Sequence, residues 1–415
     1  MEPWLERAAA LRPERVAVEA PDGTRTYREL LDGARVVAAA LAARGVRRGD
    51  RVALVLSPGA AFVEALHGCL LAGAAAMPID PRLSDAERAV LARGAATTID
   101  GPLEPAPPLS PAAVPDLDDA ALVVHTSGTT GAPRAVTLSL GNVQASAFGS
   151  AVALGLDPGE RWLCPLPLSH VGGLMVLLRS AIYATTAVLG PPQTRDVTLA
   201  SLVPTQLARL LEAGTAPPHG LRAVLLGGAP AARPLLEQAR DAGWPVAPTY
   251  GLTQACSTVA VGEVGDVETS GRALPGVRVT LAPDGEILVQ GPTVAGGGTL
   301  RTGDLGTLDE RGRLRVTGRK TDTIVTGGEN VAPAEVEAVL LAHPAVLDAG
   351  VFARPHPEWG EAVTARVVLR RPVTPDELRA WAHGRLARFK VPKEIELADG
   401  LPRTASGKLL RRELA

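Results

Sequence analysis

Short apolar runs, each stopped by Gly or Pro and separated by stretches of helical period, are what most constrain this chain. Residues 51–56, 161–167, 187–189, 223–226 and 246–249 are such runs. A helical stretch opens at Thr26, Tyr27, Arg28 and Glu29 and continues to Leu41. Alternation of the two patterns predicts an α/β sheet with helices packed on it. From 271 to 316 the strands shorten and turns such as Asp284-Gly285 and Arg311-Gly312 multiply, which predicts a small antiparallel β subdomain. A boundary falls near 318–322. Beyond it a helix at 333–342, strands at 346–353 and 363–369, and a helix at 375–389 predict an α+β unit of about a hundred residues. The 415 residues are too many for one core and imply two or three domains.

Composition narrows the function. Hydrophobic residues are 46%, charged residues 21%, and the net charge is −2, so no polyanion-binding surface is expected and nucleic acid is excluded as a partner. Cys69, Cys164 and Cys256 are sparse and widely spaced; they read as buried small apolar residues in a reducing cytoplasm. The first residues include Glu2, Glu6 and Arg7 and lack the apolar core of a signal peptide. The most apolar stretch, 60–79, contains Glu64 and His67 and reads as a helix followed by a strand, so no integral membrane segment is expected. The lysines are Lys320, Lys390, Lys393 and Lys408, all late in an otherwise arginine-rich chain. Lysine is thus kept where arginine does not substitute.

Chemistry concentrates in a few segments. A Pro-rich stretch at 102–115 and the apolar run 121–124 lead into Thr126, Ser127, Gly128, Thr129, Thr130 and Gly131, and Arg134 follows. Glycines let backbone approach an anion, hydroxyls and free N–H groups donate to it, and the base offsets its charge. This is a phosphate cradle, and it is not the Walker A pattern. Gly227, Gly228 and Ala229 after one strand, and Tyr250 and Gly251 after another, make two turns at carboxyl ends of sheet strands, where ligands of open α/β sheets bind.

The string T-S-G-T-T-G-x-P-R over 126–134 resembles the AMP-binding loop of the adenylate-forming superfamily, which contains the acyl-CoA synthetases and luciferases. That resemblance implies a large N-terminal α/β domain of stacked sheets at 1–318 that binds AMP and acid. It further implies a hinge at 319–322 and a small mobile C-terminal domain at 323–415 that carries a catalytic lysine. It assigns Thr126, Ser127, Gly128, Thr129, Thr130, Gly131 and Arg134 to the ATP phosphates, Arg134 standing where the family usually has lysine. Gly227, Gly228, Ala229, Tyr250 and Gly251 would enclose adenine, Asp304 would accept from the ribose, and Arg319 would reach the nucleotide. Lys408, in the run 401–408, would place an ammonium between the acid carboxylate and the α-phosphate. Thr253 and His170 are the other catalytic candidates. Gln254 stands where the family places a Mg²⁺-binding glutamate; it keeps an oxygen donor and loses the charge. Lys320, Thr321 and Asp322 would form the hinge, and Gly327, Gly328 and Glu329 would face the CoA path. Glu335 and Glu337 read as first-turn helix carboxylates.

The strings S-L-V-P-T-Q-L-x-R-L-L at 201–211, H-V-G-G-L at 170–174, L-L-G-G-A-P at 225–230 and Y-G-L-T-Q-A-C-S-T at 250–258 resemble the o-succinylbenzoate–CoA ligase family of menaquinone biosynthesis. Such a substrate is an aromatic dicarboxylate. One carboxylate is activated, and the other needs a donor, for which His170, Ser201, Arg209, Ser257 and Thr258 are candidates. Gly172 and Gly173 would leave room for a flat ring. The expected reaction uses ATP, Mg²⁺ and CoA and proceeds through an acyl-adenylate. A ligase for another aryl or short acyl acid stays open. So does a non-catalytic nucleotide-binding or acyl-AMP-binding protein, which Gln254 and Arg134 would suit. The sequence is compatible with a homodimer.

Overall fold

The apolar runs become the strands of two sheets that share one core. The computed structural model describes residues 2–104, 106, 114–126, 134–404 and 409–414. The first sheet runs in the order Thr97–Ile99, Arg51–Leu54, Ala75–Pro78, Ala120–Thr126 and Arg134–Ser139; all neighbours are parallel except the last pair. The second has nine strands. Its parallel centre is Val246–Leu252, Ala223–Leu226, Leu199–Leu202, Arg161–Leu163, Thr186–Val188 and Val16–Ala20. The run expected at 161–167 is a strand only over Arg161–Leu163, because Pro165 and Pro167 cannot donate to a ladder.

Helices Tyr27–Ala43, Ala60–Leu71, Leu140–Leu154 and Val171–Tyr183 contribute to one buried cluster with both sheets, with Phe62, Leu122, Val143, Trp162 and Leu174 among its members. Each large side chain so buried contributes about 1.5–3 kcal/mol. Val171–Tyr183 is buried on nearly every side, as its almost wholly apolar sequence requires. Helices Pro204–Glu212 and Arg233–Asp241 cover the other face of the nine-stranded sheet through Leu207, Leu210, Leu236 and Ala239. Side-chain caps fix several helix starts. Ser139 accepts from the Asn142 N–H while Asn142 Oδ1 accepts from the Ser139 N–H, and this sets where Leu140–Leu154 enters.

The expected β subdomain is a four-stranded antiparallel sheet of Arg278–Leu281, Glu286–Gln290, Thr299–Leu308 and Leu314–Arg319. A turn of 3₁₀ helix at Lys320–Asp322 leads to a five-stranded sheet flanked by helices Pro333–Leu341 and Pro375–His383. The last helix is shorter than the expected 375–389, ending at Gly384 before a separate 3₁₀ turn at Arg388–Lys390. Glu337 departs from the first-turn expectation. It is buried, its Oε1 accepts the Val351 N–H, and it pairs with Arg411. Arg370 Nη2 and Glu212 Oε1, 3.6 Å apart, join the C-terminal sheet region to the large lobe.

Candidate active site

Gly227 follows strand Ala223–Leu226, and the expected turn at Tyr250 and Gly251 is instead the last part of the adjacent parallel strand Val246–Leu252, paired antiparallel with Ser257–Val261; Leu226 is registered with Pro248. A Cβ on Gly227 would lie 2.3 Å from Thr249 Oγ1, and one on Gly251 would lie 1.8 Å from the Ser257 carbonyl oxygen, so neither position admits a side chain. Tyr250 is buried between them. Its hydroxyl donates to Asp304 Oδ2 at 2.8 Å, and Arg319 Nε lies 2.8 Å from Asp304 Oδ1. Burial first, and the Asp304 charge second, push the phenol upward, so Tyr250 stays a donor. Asp304 therefore meets the strand carrying Tyr250 and the segment at Arg319 at once. Thr302 Oγ1 and Glu286 Oε1 accept the Asp304 and Gly303 N–H groups, which shapes the turn expected at the ribose.

The segment expected to cradle phosphate is flanked by the antiparallel pair Ala120–Thr126 and Arg134–Ser139. His125 is registered with Ala135 and Thr126 with Arg134, whose carbonyl accepts from Thr126 Oγ1 at 3.3 Å. Ser127, Gly128, Thr129, Thr130 and Gly131 lie outside the described residues, as does Lys408. The flanks of the lysine run are described. Arg403 pairs with Asp348 and bridges to Leu409, and Arg411 Nε lies 3.1 Å from Asp322 Oδ2.

His170 immediately precedes helix Val171–Tyr183, and its carbonyl accepts the Gly173 and Leu174 N–H groups. Surrounding protein lowers its pKa, with Asp80 opposing and Arg82 reinforcing that shift, so the imidazole is neutral near pH 7. Gly173 is required by packing rather than by ring clearance: a Cβ there would lie 2.7 Å from the Pro167 carbonyl oxygen. Gly172 has ordinary space, with Leu166 Cδ1 at 3.5 Å. Thr253, Gln254 and Ala255 form a 3₁₀ turn, and the Gln254 carbonyl accepts from Ala295 N–H. Among the described residues no group of three or more His, Cys, Asp or Glu side chains could hold a metal ion.

Of the acid-binding candidates, Ser201 and Thr258 are buried and Ser257 is partly buried, while Arg209 is exposed. Leu207 and Leu210 take the buried side of helix Pro204–Glu212, and Arg209 lies on its exposed side. A buried cation that sequence reasoning did not single out is Arg179, which contacts the candidate Thr258. It is 2% exposed, its guanidinium carbon lies 5.6 Å from the Trp162 ring centroid, and Trp162 Nε1 donates to Ser201 Oγ at 3.0 Å. Its Nη2 donates to Ser146 Oγ at 3.1 Å and Thr258 Oγ1 at 3.3 Å, and its buried Nε has no partner. No carboxylate pairs with it among the described residues. Burial lowers its pKa. A lone charge in the apolar run 171–183 was the signal available.

Residues 5–99 and 92–297 match the AMP-binding enzyme family, and 335–408 match the AMP-binding enzyme C-terminal domain. The chain belongs to this family. It is 37% identical to the 2-succinylbenzoate–CoA ligase of Bacillus subtilis (strain 168), over 99% of this chain and 97% of that protein. Structures of o-succinylbenzoate CoA synthetase (MenE) from Bacillus subtilis superpose on it at 36% identity. The complex with the acyl-adenylate intermediate OSB-AMP gives a TM-score of 0.90, covering 100% of this chain and 98% of that one. The complex with ATP and magnesium ion also gives 0.90, over 99% of each. A double mutant bound to the product analogue OSB-NCoA gives 0.71, covering 100% and 98%.

Proposed function

We propose that this family member is an AMP-forming 2-succinylbenzoate–CoA ligase. The observation that carries the reading is Arg179, a buried guanidinium without a carboxylate partner, set among Trp162, Ser201 and Thr258. A charge left unpaired in a low-dielectric wall is costly unless a ligand anion completes it. The ring carboxylate of 2-succinylbenzoate supplies that anion. A simple fatty-acid ligase would want an apolar pocket here.

The succinyl carboxylate attacks the α-phosphorus of ATP, forming acyl-AMP and releasing pyrophosphate. Tyr250 and the turn at Gly227, Gly228 and Ala229 hold adenine, Asp304 accepts from the ribose, and neutral His170 lies beside the acid. Lys408 supplies the cation that attracts both reacting anions, and Thr126 and Arg134 frame the loop that receives the phosphates. Magnesium would offset phosphate charge there, and Gln254 would offer it one neutral oxygen. The CoA thiol then attacks the acyl-AMP carbonyl and expels AMP. For that step the small domain, from 323 onward, turns about 319–322 and brings Gly327, Gly328 and Glu329 to the pantetheine path. Equal TM-scores of 0.90 with the adenylate and ATP complexes, against 0.71 with the product-analogue complex, support an adenylation arrangement of the lobes.

The enzyme's partners on this reading are the acid, ATP and CoA, in the cytoplasm. Thioester formation should be measured with 2-succinylbenzoate, benzoate, succinate and a medium-chain fatty acid. Succinylbenzoate should have the highest kcat/KM by about 10² or more, as one buried charge-assisted contact provides. Equal use of a monocarboxylate would refute the assignment of the pocket.

A further inference from the structure

Ser146 lies on helix Leu140–Leu154, is fully buried, and belongs to none of the motifs that mark the nucleotide or acid. Its hydroxyl donates to the Cys256 carbonyl at 2.7 Å and accepts from Arg179 Nη2 at 3.1 Å. A hydroxyl has one proton and two lone pairs. With the proton committed to Cys256, a lone pair is left facing the guanidinium. The Cys256 carbonyl is aimed by an unusual backbone: Cys256 and Ser257, neither of them glycine, have φ of +51° and +80°. Such consecutive left-handed residues persist only where surrounding contacts hold them. Here Gly251 allows the Ser257 carbonyl to approach closely, and Ser146 holds the Cys256 carbonyl. Thr258, one residue further on, supplies the second hydroxyl on Arg179 Nη2.

We propose that Ser146 is a positioning residue for acid recognition, which orients Arg179 toward the second carboxylate of the substrate by tying it to the left-handed turn at Cys256 and Ser257. This rests on the role given to Arg179 above. Two neutral hydroxyls fix the direction of the guanidinium without neutralising it, whereas a carboxylate in either place would consume the charge the substrate needs. Specificity for a diacid then depends on a residue that never touches it.

The test is steady-state kinetics with two acids, 2-succinylbenzoate and the benzoylpropionate that lacks the ring carboxylate, on the full-length enzyme. Ser146→Ala should raise KM for succinylbenzoate about tenfold, the effect of one hydrogen bond to a charged group, and leave KM for ATP and for benzoylpropionate unchanged. Ser146→Cys, closer in size, should shift the same constant in the same direction. In an Arg179→Ala background, Ser146→Ala should add nothing to the discrimination between the acids. If Ser146→Ala weakens both acids equally, the residue is merely structural and the inference falls. If Arg179→Ala removes the preference for the diacid but neither Ser146 variant does, this inference alone fails. If Arg179→Ala leaves the preference intact, the reading of the pocket fails with it.

Discussion

Lys320 Nζ lies 2.6 Å from Asp284 Oδ2, fastening the first residue of the 3₁₀ turn to the β subdomain. Two residues later Asp322 is fastened the other way, to Arg411 of the C-terminal tail at 3.1 Å. Thr321 stands between the two anchors, exposed, its hydroxyl bonded only to the neighbouring Asp322 carboxylate at 3.2 Å. The backbone at Thr321 is thus where rotation leaves both ion pairs intact. Proline there fixes φ. Thr321→Pro should retain adenylate formation within about threefold and slow thioester formation from preformed acyl-AMP by about tenfold or more. Rapid-quench measurement of each half-reaction decides it; equal slowing of both would place the pivot elsewhere.

On the proposed reading, Arg179 is held for acid binding at the expense of stability. Arg179→Met keeps the stem and removes a buried charge that no carboxylate balances. Unfolding in urea should show a gain of about 1–3 kcal/mol, the range seen when buried charges give way to apolar groups. KM for the diacid should rise about a hundredfold in the same variant. A loss of stability would mean that the guanidinium is a structural element.

His67 gives the fold a pH dependence. It is buried in helix Ala60–Leu71, its Nε2 has no partner, and burial lowers its pKa from 6.5 to about 4. As pH falls, the unfolded chain takes up this proton first. The stability due to the neutral imidazole is fully present above about pH 6.5 and is lost by about pH 4, a change of about 3 kcal/mol. Between about pH 7 and pH 4, wild type should lose that much more stability than His67→Leu, since the other titrating groups cancel in the comparison. Parallel stability curves for the two proteins would contradict the assignment.

On the proposed reading, Gln254 would limit the protein's grip on magnesium. Gln254→Glu adds an anionic oxygen to a site otherwise served by ATP, and the Mg²⁺ concentration giving half-maximal adenylation should fall several-fold. An unchanged magnesium titration would show that this side chain has no part in holding the ion.

The sequence made the strands legible because buried parallel strands are short, apolar and punctuated, as at 223–226 and 246–249. The glycines at 227 and 251 stood out in the sequence, and in the structure each is closely approached, by Thr249 Oγ1 and by the Ser257 carbonyl. What escaped depends on contacts across sequence distance. Asp304 meets Tyr250 from 54 residues away, and Arg411 meets Asp322 from 89. Arg209 drew attention because it sits inside a recognisable string, but adjacency in a string does not say which side of a helix a residue takes. Arg179 was hidden for the opposite reason: the apolar run around it reads as core, and only the structure reveals a buried charge with no carboxylate partner among the described residues.

The most direct measurement is pyrophosphate release by the purified protein given ATP, magnesium and 2-succinylbenzoate, first without CoA and then with it. Without CoA the account predicts a burst of about one pyrophosphate per active site, held there by bound acyl-AMP, and with CoA it predicts continuous turnover with AMP formed in equal amount. No pyrophosphate with this acid under either condition would contradict it.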